Sequence, residues 1–231
     1  MKNTIAANIM ELHGRIAAAC EEFDRDADDI TAVAITKNHP AAVIRTAVAS
    51  GLVEIGESRV LEAKAKIDEV GRIARFHLVG HLQTNKVKTA VATFDVIQSV
   101  DSLRLAEAIN REAGQAELTV ACLIEVNCSG EPQKYGVDPA ECIDLVGRVA
   151  AMEHLDLNGL MTIGPNTDDQ GAIRAAFAHC RHLFVQGQQL VGRDFDTLSM
   201  GMSGDFELAI AEGSTMIRIG SLLFGQRPDM P

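Results

Sequence analysis

One lysine and two glycine- and serine-containing turns are the residues of this chain best suited to chemistry. Leu198-Ser-Met-Gly-Met-Ser-Gly-Asp205 and Thr215-Met-Ile-Arg-Ile-Gly-Ser221 each read as a short apolar strand, a Gly/Ser turn and the start of a helix. Glycine lets the backbone approach a ligand closely, and a helix start offers unpaired N–H groups at the positive end of its dipole. Two such turns, roughly twenty residues apart, suggest one phosphate held between neighbouring strand ends. Lys37 ends the apolar run Ile30-Thr-Ala-Val-Ala-Ile-Thr36. At the mouth of an apolar strand an amine is partly desolvated, which favours its neutral, nucleophilic form. Position alone leaves open a solvated lysine at a strand end.

The elements that must position these residues follow from hydrophobic periodicity. Apolar strands are expected at 30–36, 52–55, 75–79, 96–100, 118–126, 157–163, 196–199 and 215–219, with helical segments between them. An amphipathic helix precedes the first strand, with Ile5, Ile9, Leu12, Ile16 and Phe23 on one face. Asp101 or Ser102 caps one helix, Asp138 caps another that carries Pro139 in its first turn, and Ser203 or Asp205 caps a third. Eight strands alternating with helices over short connections call for parallel pairing. The pattern predicts an α/β fold, a single closed (β/α)8 TIM barrel with an extra N-terminal helix, with an open doubly wound sheet as the alternative. The expected organisation is one domain over 1–231, with the helix at 1–24, the barrel at 30–225 and a tail at 227–231.

Composition fits that interior. Of 231 residues 47% are hydrophobic and only 4% aromatic, so Ala, Val, Ile and Leu must form the core, as buried parallel strands require. A net charge of −11 argues against a general nucleic-acid binder. The five cysteines, Cys20, Cys122, Cys128, Cys142 and Cys180, have neither disulfide-framework nor zinc-site spacing. No signal peptide and no bilayer-spanning apolar run are read, so a cytoplasmic protein without membrane association is expected.

In a closed barrel the first strand pairs with the eighth. Lys37 then lies beside the turn after strand eight, at the face where such barrels bind ligands. An amine for an aldehyde and donors for a phosphate are what pyridoxal 5′-phosphate needs. Arg218 lies between Ile217 and Ile219 and so points to the opposite face from both. In the barrel mouth it pairs either with a glutamate or with a ligand. Beside a pyridine nitrogen it would keep that nitrogen unprotonated and weaken the ring as an electron sink. Other polar residues have plainer readings. His77 and His81 bracket a strand end and do not suit a metal. His179 and His182 lie on an outer helix. Glu57 and Glu62 read as a solvated helix face. Tyr135 reads as an exposed loop residue, and Asn85 and Lys86 lie at a barrel mouth.

Together Ala34-Ile-Thr-Lys37, Ile55-Gly-Glu57, His77-Leu-Val-Gly-His-Leu-Gln-Thr-Asn-Lys86, Leu198-Ser-Met-Gly-Met-Ser203 and Glu212-Gly-Ser-Thr-Met-Ile-Arg-Ile-Gly-Ser221 resemble the pyridoxal phosphate homeostasis proteins. The resemblance runs from the first strand almost to the end. It implies a single-domain barrel related to the N-terminal domain of alanine racemase. It implies that Lys37 carries the cofactor as an imine and that Ser199, Met200, Ser203, Gly204, Gly220 and Ser221 hold the phosphate. Arg218 matches the family's arginine at the pyridine nitrogen. Ser58 stands where the family commonly has Asn, and Arg59 where an aromatic is frequent, which changes the pocket rim.

The leading expectation is a carrier and regulator of pyridoxal phosphate in vitamin B6 homeostasis, with no catalytic residue and no metal. It would act as a monomer or weak dimer, with cofactor-dependent apoenzymes as possible recipients. The alternative is an amino-acid racemase acting through the same imine. Racemisation needs a second base, and Tyr135 is the only tyrosine. A cofactor-free Schiff-base aldolase would leave both turns needing a phosphorylated sugar.

Overall fold

The computed structural model describes residues 4–225. Eight parallel strands close into a barrel in sequence order: β1 (Thr31–Ile35), β2 (Glu54–Glu57), β3 (Arg75–Leu78), β4 (Val96–Val100), β5 (Val120–Glu125), β6 (Leu155–Met161), β7 (Thr197–Met202) and β8 (Met216–Ile219). The barrel closes through β1 and β8, which pair Ala34 with Ile219. Helix α1 (Ile5–Glu22) precedes the barrel. Helices α2 (Ala41–Ala49), α3 (Val60–Val70), α4 (Val87–Thr93), α5 (Leu103–Gln115), α6 (Cys142–Ala150), α7 (Gln170–Val191), α8 (Phe206–Ala211) and α9 (Ser221–Phe224) follow successive strands. The expected tail at 227–231 lies outside the described residues, as does the very start of the chain.

The core is the layer between strands and helices, where Ile55, Phe76, Ile97, Ile124, Leu160, Ile217 and Ile219 pack against the apolar helix faces. Val33, Ile35 and Met216, with Val79, form a separate small cluster inside the barrel. The strands are buried on both faces, and side-chain direction alternates as the pleat requires, so Ile217 and Ile219 face the helices while Arg218 faces inward. The Ser102 hydroxyl caps α5, accepting from the Leu105 N–H at 3.4 Å, and the Asp169 carboxylate caps α7. Helix α1 lies against α8 and α9, fastened by the Arg15 Nε to Glu207 contact at 2.8 Å and by the Asn8 amide on the Leu223 carbonyl at 2.8 Å. Four cysteines are buried, Cys128 is half-buried, and all five are free thiols. No helix among the described residues is long and apolar enough to cross a membrane.

Two departures from periodicity matter for the site. The second strand runs two residues later than expected, because the Leu52 N–H still bonds to Ala47 O and completes the end of α2. Gly56, just beyond the expected end of this strand, is therefore a strand residue. A Cβ there would lie 2.4 Å from Ile35 Cδ1, so the missing side chain makes room for the inner cluster. The second departure is a set of register shifts. On β4 between Ile97 and Val100, and on β7 between Ser199 and Met202, one strand advances three residues while its neighbour advances two. Such bulges re-aim side chains and are frequent beside binding sites. The β7 bulge contains Gly201 at φ +95°, where an added Cβ would meet Ala209 Cβ at 2.6 Å.

Candidate functional site

Lys37 occupies the turn directly after β1, half-buried, and that turn is clamped from below. The Lys66 ammonium, on α3, donates to Thr36 O at 2.8 Å, to Glu57 Oε1 at 2.7 Å and to Glu62 Oε1 at 2.7 Å. Thr36 Oγ1 donates to Glu57 Oε1 at 2.6 Å, and the Asn38 N–H donates to Glu62 Oε1 at 2.7 Å. Both residues flanking Lys37 are thus tied to one buried ion cluster, and Asn38 takes a positive φ of 63° to make its bond. The expectation that Glu57 and Glu62 form a solvated helix face is incorrect. The shift of β2 puts Glu57 in the strand, fully buried, and Lys66 draws Glu62 inward. Burial raises the Glu57 carboxyl above its ordinary range, against the hydrogen bonds from Lys66 and Thr36. Burial would raise Glu62 too, but the hydrogen bonds from Lys66 and the Asn38 N–H prevail and its pKa is lowered.

Across the β1–β8 seam, Gly220 lies against Ile35, two residues before Lys37. Here the two turns meet. The Ser203 hydroxyl, between them, accepts from the Gly220 N–H at 3.2 Å and the Leu222 N–H at 3.5 Å. An added Cβ at Gly204 would meet no atom within 4 Å, so that side is open. Two backbone donors converging on one half-buried hydroxyl, beside an open glycine, suit a phosphate group. Ser203, Gly204, Gly220 and Ser221 all border this point. Ser199 and Met200 are placed differently. Ahead of the bulge, the Ser199 hydroxyl turns into the barrel, and Met200 is fully buried among the helix-facing core residues. As side chains, neither reaches the turn.

Arg218 is 5% exposed in the barrel interior, donating through Nη1 to Ser199 Oγ at 2.7 Å and through Nη2 to Thr162 O at 2.8 Å. Burial lowers it to about 10, with Glu125 and Asp205 opposing the shift, so it stays cationic near neutrality. Glu125, at the end of β5, is 4% exposed and its Oε2 has no hydrogen-bond partner. Burial, then the charge of Asp101, pushes its carboxyl up to about 7 against the pull of Arg218.

A cavity of about 810 Å³ opens over the ends of β2, β3, β5 and β6, lined by Lys37, Ser58, Arg59, His81, Lys86, Glu125, Tyr135 and others. It reaches Lys37 but none of the phosphate-turn residues, so Lys37 stands between the two spaces. Tyr135 is not merely an exposed loop residue: its ring stacks on His81 at 3.9 Å between centroids, within the cavity wall. Its loop is held by Lys134 Nζ on Gly164 O at 2.6 Å and by Asn127 Nδ2 on Glu131 O at 2.9 Å. His77 faces the barrel interior, away from His81, and among the described residues no group of three or more His, Cys, Asp or Glu side chains converges on a metal position. The sequence reading missed Lys66, Gln98 and Glu125. A charge near the end of an otherwise apolar strand was the available signal for Glu125.

Residues 14–228 match the alanine racemase N-terminal domain family. The chain is 40% identical to the pyridoxal phosphate homeostasis protein of Pseudomonas aeruginosa, covering 97% of this chain and 96% of that protein. The structure of PipY from Synechococcus elongatus with PLP bound is 37% identical, covers 91% of this chain and all of that one, and superposes with a TM-score of 0.80. Alanine racemase from Clostridium difficile shares only the fold, at 14% identity and a TM-score of 0.75, and this chain covers 60% of its length. The clamped lysine, the paired turns and the inward arginine therefore sit in a chain that belongs to the pyridoxal phosphate homeostasis protein family, built on the alanine racemase N-terminal barrel.

Proposed function

We propose that this protein binds pyridoxal 5′-phosphate on Lys37 and serves intracellular vitamin B6 homeostasis by holding and releasing it, without robust catalysis. When bound, the cofactor supplies an aldehyde that condenses with a primary amine. The observation that carries the reading is the clamped Lys37 turn set against amide-lined turns. Lys66, Glu57 and Glu62 fix the backbone on both sides of the amine, so its side chain is presented at one place. Ser203, Gly204, Gly220 and Ser221 would hold the phosphate. Ser199 and Met200 would contribute through the strand that carries the turn, not by side-chain contact. Arg218 would donate to the ring nitrogen, and a permanent donor there disfavours proton uptake on the ring and hence carbanion chemistry. Apoenzymes that take the cofactor are the proposed recipients, the cytoplasm the proposed compartment, and a monomer or weak dimer the proposed state.

A titration of purified protein with pyridoxal phosphate should produce a visible absorption band that Lys37→Ala abolishes while the far-ultraviolet circular dichroism is unchanged. A band that survives in Lys37→Ala would assign the attachment to another lysine. The racemase reading keeps one specific support, since Tyr135 lines the same cavity as Lys37. Incubation of loaded protein with single enantiomers of alanine or serine in deuterium oxide should give neither turnover nor α-deuteration. Efficient turnover that Tyr135→Phe removes would establish the racemase instead.

A further inference from the structure

We infer that a hydrogen-bonded chain through the barrel interior, Glu54–His77–Gln98–Ser199, positions Arg218 against the bound ring, with Gln98 as the link that fixes its direction. The inference rests on the cofactor-binding reading above. Five strands supply the chain: β2, β3, β4, β7 and β8. His77, Gln98 and Ser199 are fully buried. His77 Nε2 lies 2.5 Å from Glu54 Oε2, Gln98 Nε2 lies 2.9 Å from His77 Nδ1, Ser199 Oγ lies 2.7 Å from Gln98 Oε1, and Arg218 Nη1 lies 2.7 Å from Ser199 Oγ. Two of the three register shifts in the barrel fall on this chain, at Gln98 on β4 and just after Ser199 on β7.

The direction of every bond follows from Arg218, which can only donate. Ser199 Oγ therefore accepts from it and gives its own hydrogen to Gln98 Oε1. The Gln98 amide nitrogen then faces His77 Nδ1 and also Met216 Sδ at 3.2 Å, both acceptors. Nδ1 carries no proton, so Nε2 is the N–H that donates to Glu54. Turning the amide over would set its oxygen against the Met216 sulfur, demand a proton on Nδ1 and leave the Ser199 hydrogen unplaced. One arrangement satisfies all five groups, and a buried polar network is favourable when it is complete.

The consequence for Arg218 is geometric and electrostatic. Nη1 on Ser199 and Nη2 on Thr162 O place the plane of the guanidinium. Both direct partners are uncharged, so no carboxylate neutralises the cation at contact. A carboxylate in the place of Ser199 would hold the arginine as firmly and weaken it as a donor to a ring nitrogen. Glu54 opens to a second cavity, of about 440 Å³, on the opposite side of the barrel, which it shares with His13 and Asp28. Its charge is thus kept four links away from Arg218.

The test has two arms. In cofactor-free protein, ¹⁵N shifts of His77 should report the tautomer protonated at Nε2, and Gln98→Leu should perturb them. A His77 protonated at Nδ1 overturns the chain. In loaded protein, Gln98→Leu and Ser199→Ala should each shift the visible band and weaken cofactor retention roughly tenfold or more, the scale of one hydrogen bond to a charged group. Ser199→Thr should restore both, and the double variant should lose little beyond either single one, as members of one network do. Folded single variants with wild-type band and retention, or losses that simply add, overturn the positioning role while leaving cofactor binding intact. Wild-type protein that acquires no visible band overturns the parent reading and this role with it, whatever the tautomer.

Discussion

Replacing Glu125 by Gln should stabilise the cofactor-free protein at alkaline pH and leave it nearly unchanged at acid pH. Glu125 is buried at the barrel mouth with one oxygen unpartnered, and its carboxyl lies near 7 instead of the ordinary 4.5. The native state thus keeps a proton that the unfolded chain releases. Below about pH 4.5 both states are protonated and there is no penalty. As pH rises to about 7 the native state must either retain the proton or bury a charge, so stability falls across that window and stays reduced above it. A rise of the carboxyl from 4.5 to about 7 corresponds to about 3 kcal/mol. For a chain of this size that is about 6–12 °C in Tm. Thermal melts of both proteins from pH 4.5 to 8.5 give the answer as a difference. Glu57 is also raised by burial and slopes the same way, but it is common to both proteins and cancels. A Tm difference that is constant across the range would refute the reasoning and mean that Glu125 ionises as an ordinary carboxylate in the folded barrel.

Lys66→Met removes the cation from a buried cluster and leaves Glu57 and Glu62 facing each other, so it should destabilise the protein by about 3–5 kcal/mol by denaturant titration. If it still folds, cofactor uptake on Lys37 should slow, because the turn loses its clamp. Gly201→Ala forces a side chain into a backbone at φ +95° and against Ala209, and should cost about 1–3 kcal/mol while loosening the phosphate turn. An unchanged Tm in that variant would show that the β7 bulge relaxes freely.

The barrel was legible because parallel strands buried on both faces read as unbroken apolar runs, and Lys37 and Arg218 were legible because the first ends such a run and the second interrupts one. Strand ends were less legible. Leu52 is apolar enough for a strand, yet its N–H terminates α2, and that two-residue offset hid Glu57 inside β2. Ser199 and Ser203 look alike in sequence, four residues apart. Only the bulge between them decides that the first faces the barrel interior and the second faces the turn. The Lys66 bonds to Thr36 and Glu57 and the Glu54–His77–Gln98 chain join residues 9 to 30 apart through side-chain direction alone. Periodicity carries no record of such pairings.

The most direct test of the central claim is borohydride reduction of protein loaded with pyridoxal phosphate, followed by peptide mass mapping. The cofactor mass should appear once, on the peptide containing Lys37, and should vanish in Lys37→Ala. Incorporation on Lys86 or Lys134 with Lys37 unmodified, or no incorporation at all, would contradict the account.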